Sequence, residues 1–165
     1  YNTKGLWAPQ AGKSLAPRQW MRKMPVGKTG FDEAYRAVRE MRDRYPQKAV
    51  TFFAQQYPDY GWAILMAGGS MPNVRIDSDE LLQAITCMAP VDAEQCLALA
   101  DSGHDYLVLT LADGATMQVE PGKYRVYTVD TMTGQVVTLQ RALRIDGTFA
   151  PQPDTTPKVY WLHRL

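Results

Sequence analysis

The chain has 165 residues, of which 45% are hydrophobic and 21% charged, and its formal net charge at pH 7 is +1. This composition is typical of one globular domain, or of one domain plus a fragment of another. A nearly neutral chain has no overall attraction to nucleic acid, and no apolar run reaches the roughly 18–20 residues that span a bilayer. We therefore expect neither a nucleic-acid partner nor a membrane partner.

The first thirty residues are basic and rich in breakers of regular structure. They contain Trp7, Trp20, three prolines, no acidic residue and six cations: Lys4, Lys13, Arg18, Arg22, Lys23 and Lys28. Such a stretch predicts a long loop with one short helical turn. Tryptophans beside cations suit the binding of sugars, acidic polysaccharides in particular, and equally suit burial of the indoles in a core. Because the chain opens on Tyr1 without a signal-peptide pattern, we expect a preceding segment.

The next elements alternate between helix and strand. Residues 31–45 carry apolar side chains every three or four positions, which predicts an amphipathic helix that Pro46 stops. Thr29 and Asp32 predict a capping box at its start. The run KAVTFFA, residues 48–54, predicts a strand buried on both faces, and residues 60–67 predict a helix buried all round. This order is typical of an α/β unit.

Two glycines and a serine end the second helix. One glycine, Gly68, suffices as a helix C-cap. The second, Gly69, indicates that the backbone comes close to another group, to which Ser70 can then donate a hydrogen bond. The motif is too short for a phosphate-binding loop.

Short strands separated by turns follow residue 76. Asp77 or Ser78 can cap a helix that Pro90 closes. From residue 94, strands are predicted at CLALAD, YLVLTLA, TMQVE, KYRVYTV, QVVTLQRAL and KVYWLHR. Asp-Gly at 113–114 predicts a hairpin turn, and DTMTG predicts another turn. The pattern indicates an antiparallel β-sandwich over residues 93–165, after an α/β region over residues 1–92.

Few side chains form a chemical motif. Asp59 fits either a helix N-cap or a substrate contact. Ser70 lacks the flanks of a nucleophile elbow. Cys87 and Cys96 allow either a disulfide or two reduced, packed thiols, and the two histidines do not complete a metal-site spacing, so we expect no metal and no cofactor. Four carboxylates at strand ends fit turn residues: Asp101, Asp105, Asp113 and Asp130.

The later strands carry a recognisable set of residues: Tyr106, Leu107, Val108, Gly114, Tyr127, Asp130, Thr133 and Gly134. This set resembles the C-terminal β-sandwich of certain bacterial (β/α)8-barrel glycoside hydrolases, a module also labelled collagen-binding. GWAILMAGGS is similar to the last helix of that barrel. The chain departs from the usual pattern at Tyr-Thr-Val, where Trp or Phe is common, and at Thr131, where Pro is common.

This resemblance implies an α+β chain: the end of a TIM-type barrel followed by an antiparallel β-sandwich. KAVTFF would be the eighth barrel strand, and the basic segment would be the loop after strand seven. Loops after the strands bind substrate in such barrels. The implied substrate-binding residues are Trp7, Lys13, Arg18, Gln55, Tyr57, Asp59 and Tyr60. The two catalytic carboxylates would follow strands four and seven, so we expect them upstream of Tyr1 and expect these 165 residues alone to be inactive.

Three functions remain open from the sequence. The first is the C-terminal portion of a glycosidase located outside the cytoplasm. Its partners would be the rest of its own barrel and a carbohydrate, which can be anionic. The second is a non-catalytic carbohydrate- or surface-binding module, which exposed coplanar aromatics would favour. The third is an interaction protein whose basic arm binds an anionic partner, which a strong salt dependence of binding would favour. The aromatics in question are Tyr124, Tyr127, Tyr160 and Trp161.

Overall fold

The protein is described from a computed structural model, which defines residues 30–52, 60–151 and 158–165. The helices in these ranges are α1 (Phe31–Arg44), α2 (Gly61–Met66) and α3 (Asp79–Ile85). The strands are β1 (Ala89–Val91), β2 (Cys96–Asp101), β3 (Asp105–Thr110), β4 (Met117–Gln118), β5 (Gly122–Val129), β6 (Val136–Ile145), β7 (Thr148–Phe149) and β8 (Val159–Arg164). No helix in the described ranges is both long enough and apolar enough to cross a membrane.

The chain divides into two compact units between Asn73 and Val74. The sequence placed a boundary between residues 92 and 93. Helix α3 and strand β1 therefore belong to the same unit as the later strands.

In the first unit, helix α1 confirms the predicted amphipathic helix. Its buried residues are Ala34, Ala37 and Val38, and it has acidic residues in its first turn and arginines in its last, which suits the helix dipole. The predicted capping box is wrong. The N-cap is Gly30, whose backbone is extended and which has no side chain to accept a hydrogen bond.

Helix α2 is buried on every side, as its uniformly apolar sequence predicted. Its N-cap is Tyr60, and Asp59, for which an N-cap role was one alternative, lies outside the described residues. In the first unit, Val38 of α1, Val50, Ile64 of α2 and Ala67 form a small hydrophobic cluster. This cluster brings the two helices together through side chains from both.

The predicted strand at 48–54 is not present in residues 48–52, and residues 53–54 lie outside the described ranges. Val50 is buried and Thr51 is exposed, so this part of the run is not covered on both faces. Both main-chain groups of Val50 bond to Ser70. The Val50 N–H donates to the Ser70 Oγ at 2.9 Å, and the Ser70 N–H donates to the Val50 oxygen at 2.7 Å. A side-chain hydroxyl thus stands where a neighbouring strand would offer a carbonyl.

The second unit contains a six-stranded antiparallel sheet in the order β1-β2-β3-β8-β5-β6, and a two-stranded sheet of β4 and β7. Five of the six predicted strands are long elements here, and TMQVE forms the short β4. Strand β1 is new, because Pro90 was interpreted as the end of a helix. Proline is tolerated at the edge of a sheet, and β1 is an edge strand.

The two predicted turns differ in outcome. Asp113 and Gly114 do form a turn, with Gly114 at φ 80°, but it is not a hairpin, because β3 pairs with β2 and β8 while β4 pairs with β7. The DTMTG turn does join paired strands, β5 and β6. Its glycine, Gly134, has φ 79°, and a Cβ there would lie 2.6 Å from the backbone of Arg75.

One hydrophobic cluster includes residues of both sheets, which packs the two-stranded sheet against a face of the larger one. The second unit therefore combines helix α3 with antiparallel strands, and it is compatible with a β-sandwich. The buried members of the cluster are Cys96, Ala98, Ala100, Tyr106, Val108, Ala115, Met117, Val119, Tyr124, Val126, Ile145, Phe149, Tyr160 and Leu162.

Candidate functional site

Of the seven substrate-binding residues implied by the sequence, the structure describes one, Tyr60. It is half-buried and begins α2. The remaining six lie outside the described residues: Trp7, Lys13, Arg18, Gln55, Tyr57 and Asp59.

The glycine-serine junction, Gly68–Ser70, ends α2 in a Schellman motif. Gly68 has φ 77°, and its N–H donates to the oxygen of Leu65 at 2.8 Å. The N–H of Gly69 donates to the oxygen of Ile64, also at 2.8 Å. These two bonds satisfy carbonyls that a helix end otherwise leaves open. A Cβ on Gly69 would overlap the Ile64 Cγ2 and lie 2.8 Å from the Ile64 oxygen. The close approach predicted for the second glycine is therefore to the helix itself.

Arg42 of α1 donates to several oxygens around this junction. Its Nε and Nη2 both donate to the oxygen of Gly68, at 2.8 and 2.6 Å, and Nη2 also contacts the Ser70 Oγ at 3.2 Å. Its Nη1 donates to the oxygens of Pro46 and Lys48, at 3.2 and 3.0 Å. One guanidinium thus holds together the end of α2 and the segment after α1, which is a structural role rather than a chemical one.

A buried carboxylate, Asp105, forms a polar cluster with two side chains of β8. Its Oδ1 accepts from the indole Nε1 of Trp161 at 2.7 Å and lies 2.9 Å from the Nδ1 of His163. A carboxylate only accepts hydrogen bonds, so His163 carries a proton on Nδ1 and presents Nε2 away from Asp105. The turn role predicted for Asp105 is wrong: it lies at the start of β3, opposite His163 of β8.

The Asp105 cluster can orient an imidazole, as a carboxylate does in many catalytic sites. Its surroundings are those of a sheet interior, however. The ring of Trp161 is 1% exposed and stacks on Tyr127 with ring centres 4.4 Å apart. The contacts of this cluster therefore link β3, β8 and β5 to one another.

The four aromatics that would mark a sugar-stacking surface are inside the second unit. Tyr124 is 0% exposed, Trp161 1%, Tyr160 4% and Tyr127 9%. Burial, together with the neighbouring Tyr106, raises the pKa of Tyr124 to about 12. None of these four rings presents a face on which a sugar could stack.

Asp130 fulfils the turn role predicted for it. Its Oδ1 accepts from the Thr133 N–H at 2.7 Å, the Thr133 hydroxyl at 2.9 Å and the Met132 N–H at 3.0 Å. These bonds, those from Thr133 first, lower the pKa of Asp130. The carboxylate is therefore used to shape the turn between β5 and β6.

The two cysteines are free, Cys87 exposed and Cys96 buried. Burial raises the pKa of the Cys96 thiol to about 11, although its hydrogen bond to the Thr116 oxygen opposes the shift. Only Cys96 fits the packed thiol predicted from sequence. In the described part of the chain, no group of three or more His, Cys, Asp or Glu side chains could hold a metal ion.

Comparison with known protein families identifies one match. Residues 1–88 match the family described as "Domain of unknown function (DUF6298)". That range covers more than half of the chain. The chain belongs to the DUF6298 family. No curated protein matches it.

The DUF6298 match includes the Arg42 contacts, the glycine-serine junction and helix α3, and it ends just before β1. The Asp105 cluster lies beyond it. The description of DUF6298 assigns no chemistry, so the activity of this chain has to be argued from its own residues.

Sequence reasoning missed the roles of Arg42 and His163. Arg42 is one of several charged residues of α1. The sequence signal that could have singled it out is its position four residues before Pro46, whose oxygen it contacts. His163 bonds to a residue 58 positions earlier in the chain, and no local pattern connects the two.

Proposed function

We propose that the chain is the C-terminal portion of a carbohydrate-active enzyme that hydrolyses glycosidic bonds. The catalytic carboxylates belong to a preceding barrel segment. Residues 74–165 act as an accessory domain of that enzyme, and the loops around Trp7 and Tyr57 contribute to its substrate site.

The observation that carries this proposal over the binding-module alternative is the burial of the four aromatics. Carbohydrate-binding surfaces that work by stacking need exposed, coplanar rings, and Tyr124, Tyr127, Tyr160 and Trp161 are all 9% exposed or less. Tyr124 and Tyr160 pack in the cluster between the two sheets, and Tyr127 stacks on Trp161, so the second unit uses these rings for its own packing, as expected of a domain that supports a catalytic neighbour.

The described carboxylates also favour a catalytic pair outside these residues. Asp105 bonds to Trp161 and His163, Asp130 shapes a turn, and Glu120 pairs with Arg164 at 3.1 Å. Such carboxylates are engaged in folding, whereas a glycosidase needs two that face a substrate.

The test compares two proteins: the 165 residues alone, and a version extended upstream as far as the reading frame runs. Both are assayed for new reducing ends on a panel of neutral and acidic polysaccharides. We expect hydrolysis by the extended protein only. The proposal is overturned if the reading frame has no upstream barrel, or if the extended protein hydrolyses nothing while the short one binds polysaccharide.

A further inference from the structure

A small open groove lies where β5 begins and β6 ends, at the far end of these strands from their connecting turn. Its volume is about 210 Å³. That is below the roughly 300 Å³ at which pockets accept drug-sized ligands, so it suits one small group. We call it the basic groove, and its lining residues are Pro121, Gly122, Lys123, Arg144 and Asp146.

Two cations face each other in the basic groove. Lys123 and Arg144 are direct partners on neighbouring antiparallel strands, so their side chains share one face of the sheet. Like charges in this position destabilise a strand pair. An anion bound between the two side chains would relieve this repulsion.

Asp146 orients one of these cations without filling the groove. Its Oδ1 lies 3.3 Å from the Nε of Arg144. Because the carboxylate engages Nε, the terminal amino groups of the guanidinium remain able to donate to a planar anion. Both side chains are about four-fifths exposed, 79% for Arg144 and 81% for Asp146, so a ligand can reach them.

A third cation, Arg164, lies near Gly122 but does not line the groove. It is the strand partner of Tyr124, so its side chain lies on the opposite face of the sheet from Lys123 and Arg144. Arg164 is held in place by the Gly103 oxygen at 3.0 Å, a Glu120 carboxylate oxygen at 3.1 Å and the Pro121 oxygen at 3.4 Å. The charged residues that line the groove are Lys123, Arg144 and Asp146, which leaves one positive charge in excess.

We propose that the basic groove binds the carboxylate of a single acidic sugar residue, a uronate. One excess positive charge matches one carboxylate, and the paired cations Lys123 and Arg144 match its two oxygens. Recognition is ionic rather than by stacking, which agrees with the burial of the aromatics. The choice of a sugar carboxylate, rather than another small anion, rests on the proposed function.

The test is a titration of the whole 165-residue chain, followed by NMR or calorimetry at low salt and at about 0.15 M salt. The ligands are galacturonate, galactose as its neutral match, and acetate, sulfate and phosphate as simple anions. We expect saturable galacturonate binding that weakens with salt and exceeds the binding of galactose and of each simple anion.

Three variants locate the binding. K123Q and R144Q should each weaken galacturonate binding about fivefold, the factor that corresponds to about 1 kcal/mol for an exposed ion pair. R141Q removes an exposed cation of β6 that does not line the groove, and it should leave binding unchanged. All three change exposed side chains, and a one-dimensional NMR spectrum verifies that each variant is folded.

The inference is overturned if galactose or a simple anion binds as tightly as galacturonate, if nothing binds, or if R141Q has the same effect as the groove variants. Hydrolysis by the upstream-extended protein is scored separately. Uronate binding without hydrolysis would refute the proposed function but support the inference about the groove. Hydrolysis without uronate binding would support the proposed function and refute the inference about the groove.

Discussion

Replacing the half-buried Arg42 by alanine should destabilise the chain more than the same change at any other arginine of α1. The substitution removes both hydrogen bonds to the Gly68 oxygen and those to Pro46, Lys48 and Ser70. The Gly68 oxygen, part-buried at the end of α2, is then left without its charged donor.

The expected cost follows from these bonds. A hydrogen bond from a charged donor to a partly buried acceptor contributes about 1.5–3 kcal/mol. The contacts with the oxygens of Pro46 and Lys48 and with the Ser70 hydroxyl are exposed, so water replaces them at little cost. We expect Arg42→Ala to lower the free energy of unfolding by about 2–3 kcal/mol, which at about 2–4 °C per kcal/mol lowers Tm by roughly 4–12 °C.

Thermal unfolding followed by circular dichroism measures this change, and hydrogen exchange locates it. The amides of Gly68 and Gly69, which close the Schellman motif, should lose protection. Arg42→Lys keeps the charge but not the planar fork, so its effect should be intermediate. The matched control is Arg36→Ala on the exposed side of α1, with an expected change within about 0.5 kcal/mol. Equal Tm values for the Arg42→Ala and Arg36→Ala variants, with unchanged exchange at the junction, would refute the reasoning.

Three further predictions concern packing and ionisation. Gly69→Ala should lower the free energy of unfolding in denaturant by about 1–3 kcal/mol, because the new Cβ overlaps Ile64. At pH 8 a thiol reagent should label Cys87 in the native chain but Cys96 only after unfolding, as mass spectrometry of the peptides would show, because Cys96 is buried and its pKa is raised to about 11. Tyr124, whose pKa is raised from 10.0 to about 12, contributes stability that is fully present below pH 10 and is lost as pH rises to about 12. Tyr124→Phe should therefore flatten the alkaline fall in the free energy of unfolding.

Each of these predictions has its own contrary result. Gly114→Ala is the control for Gly69→Ala: no described atom lies within 4 Å of a Cβ at Gly114, which leaves only the strain of its positive φ, about 1 kcal/mol. If Gly69→Ala costs no more than this control, the overlap argument fails. Equal labelling rates for the two native cysteines would contradict the burial of Cys96. If the free energy of unfolding falls as steeply above pH 10 in the Tyr124→Phe variant as in the unchanged chain, the pH dependence belongs to another group.

Local patterns in the sequence predicted local elements well. The spacing of Ala34, Ala37 and Val38 determines which face of α1 is buried, and that spacing is visible in the sequence. The DTMTG turn was equally readable, because Asp130 satisfies the amides of Met132 and Thr133 within the turn itself. In both cases the interactions that form the element lie within a few residues of one another.

Partner choice between distant segments could not be read from the sequence. Asp-Gly at 113–114 is a strong hairpin signal, yet β3 pairs with β2 and β8. Val50 has the sequence context of a buried strand, yet Ser70, twenty positions later, takes its hydrogen bonds. The same limit applies to the polar cluster of the second unit: Asp105 meets His163 only because of a pairing between β3 and β8 that no local pattern determines.

The position of β8 in the sheet has a consequence for how the second unit folds. Among the described strands β8 comes last along the chain, yet it lies between β3 and β5 and is the only strand that joins β1-β2-β3 to β5-β6. Until Val159–Arg164 pairs, both groups expose an inner edge of unpaired backbone. The pairing of β8 with β3 closes a loop of about fifty residues, so this topology favours slow folding. Until it forms, partly folded chains can aggregate through the unpaired strand edges.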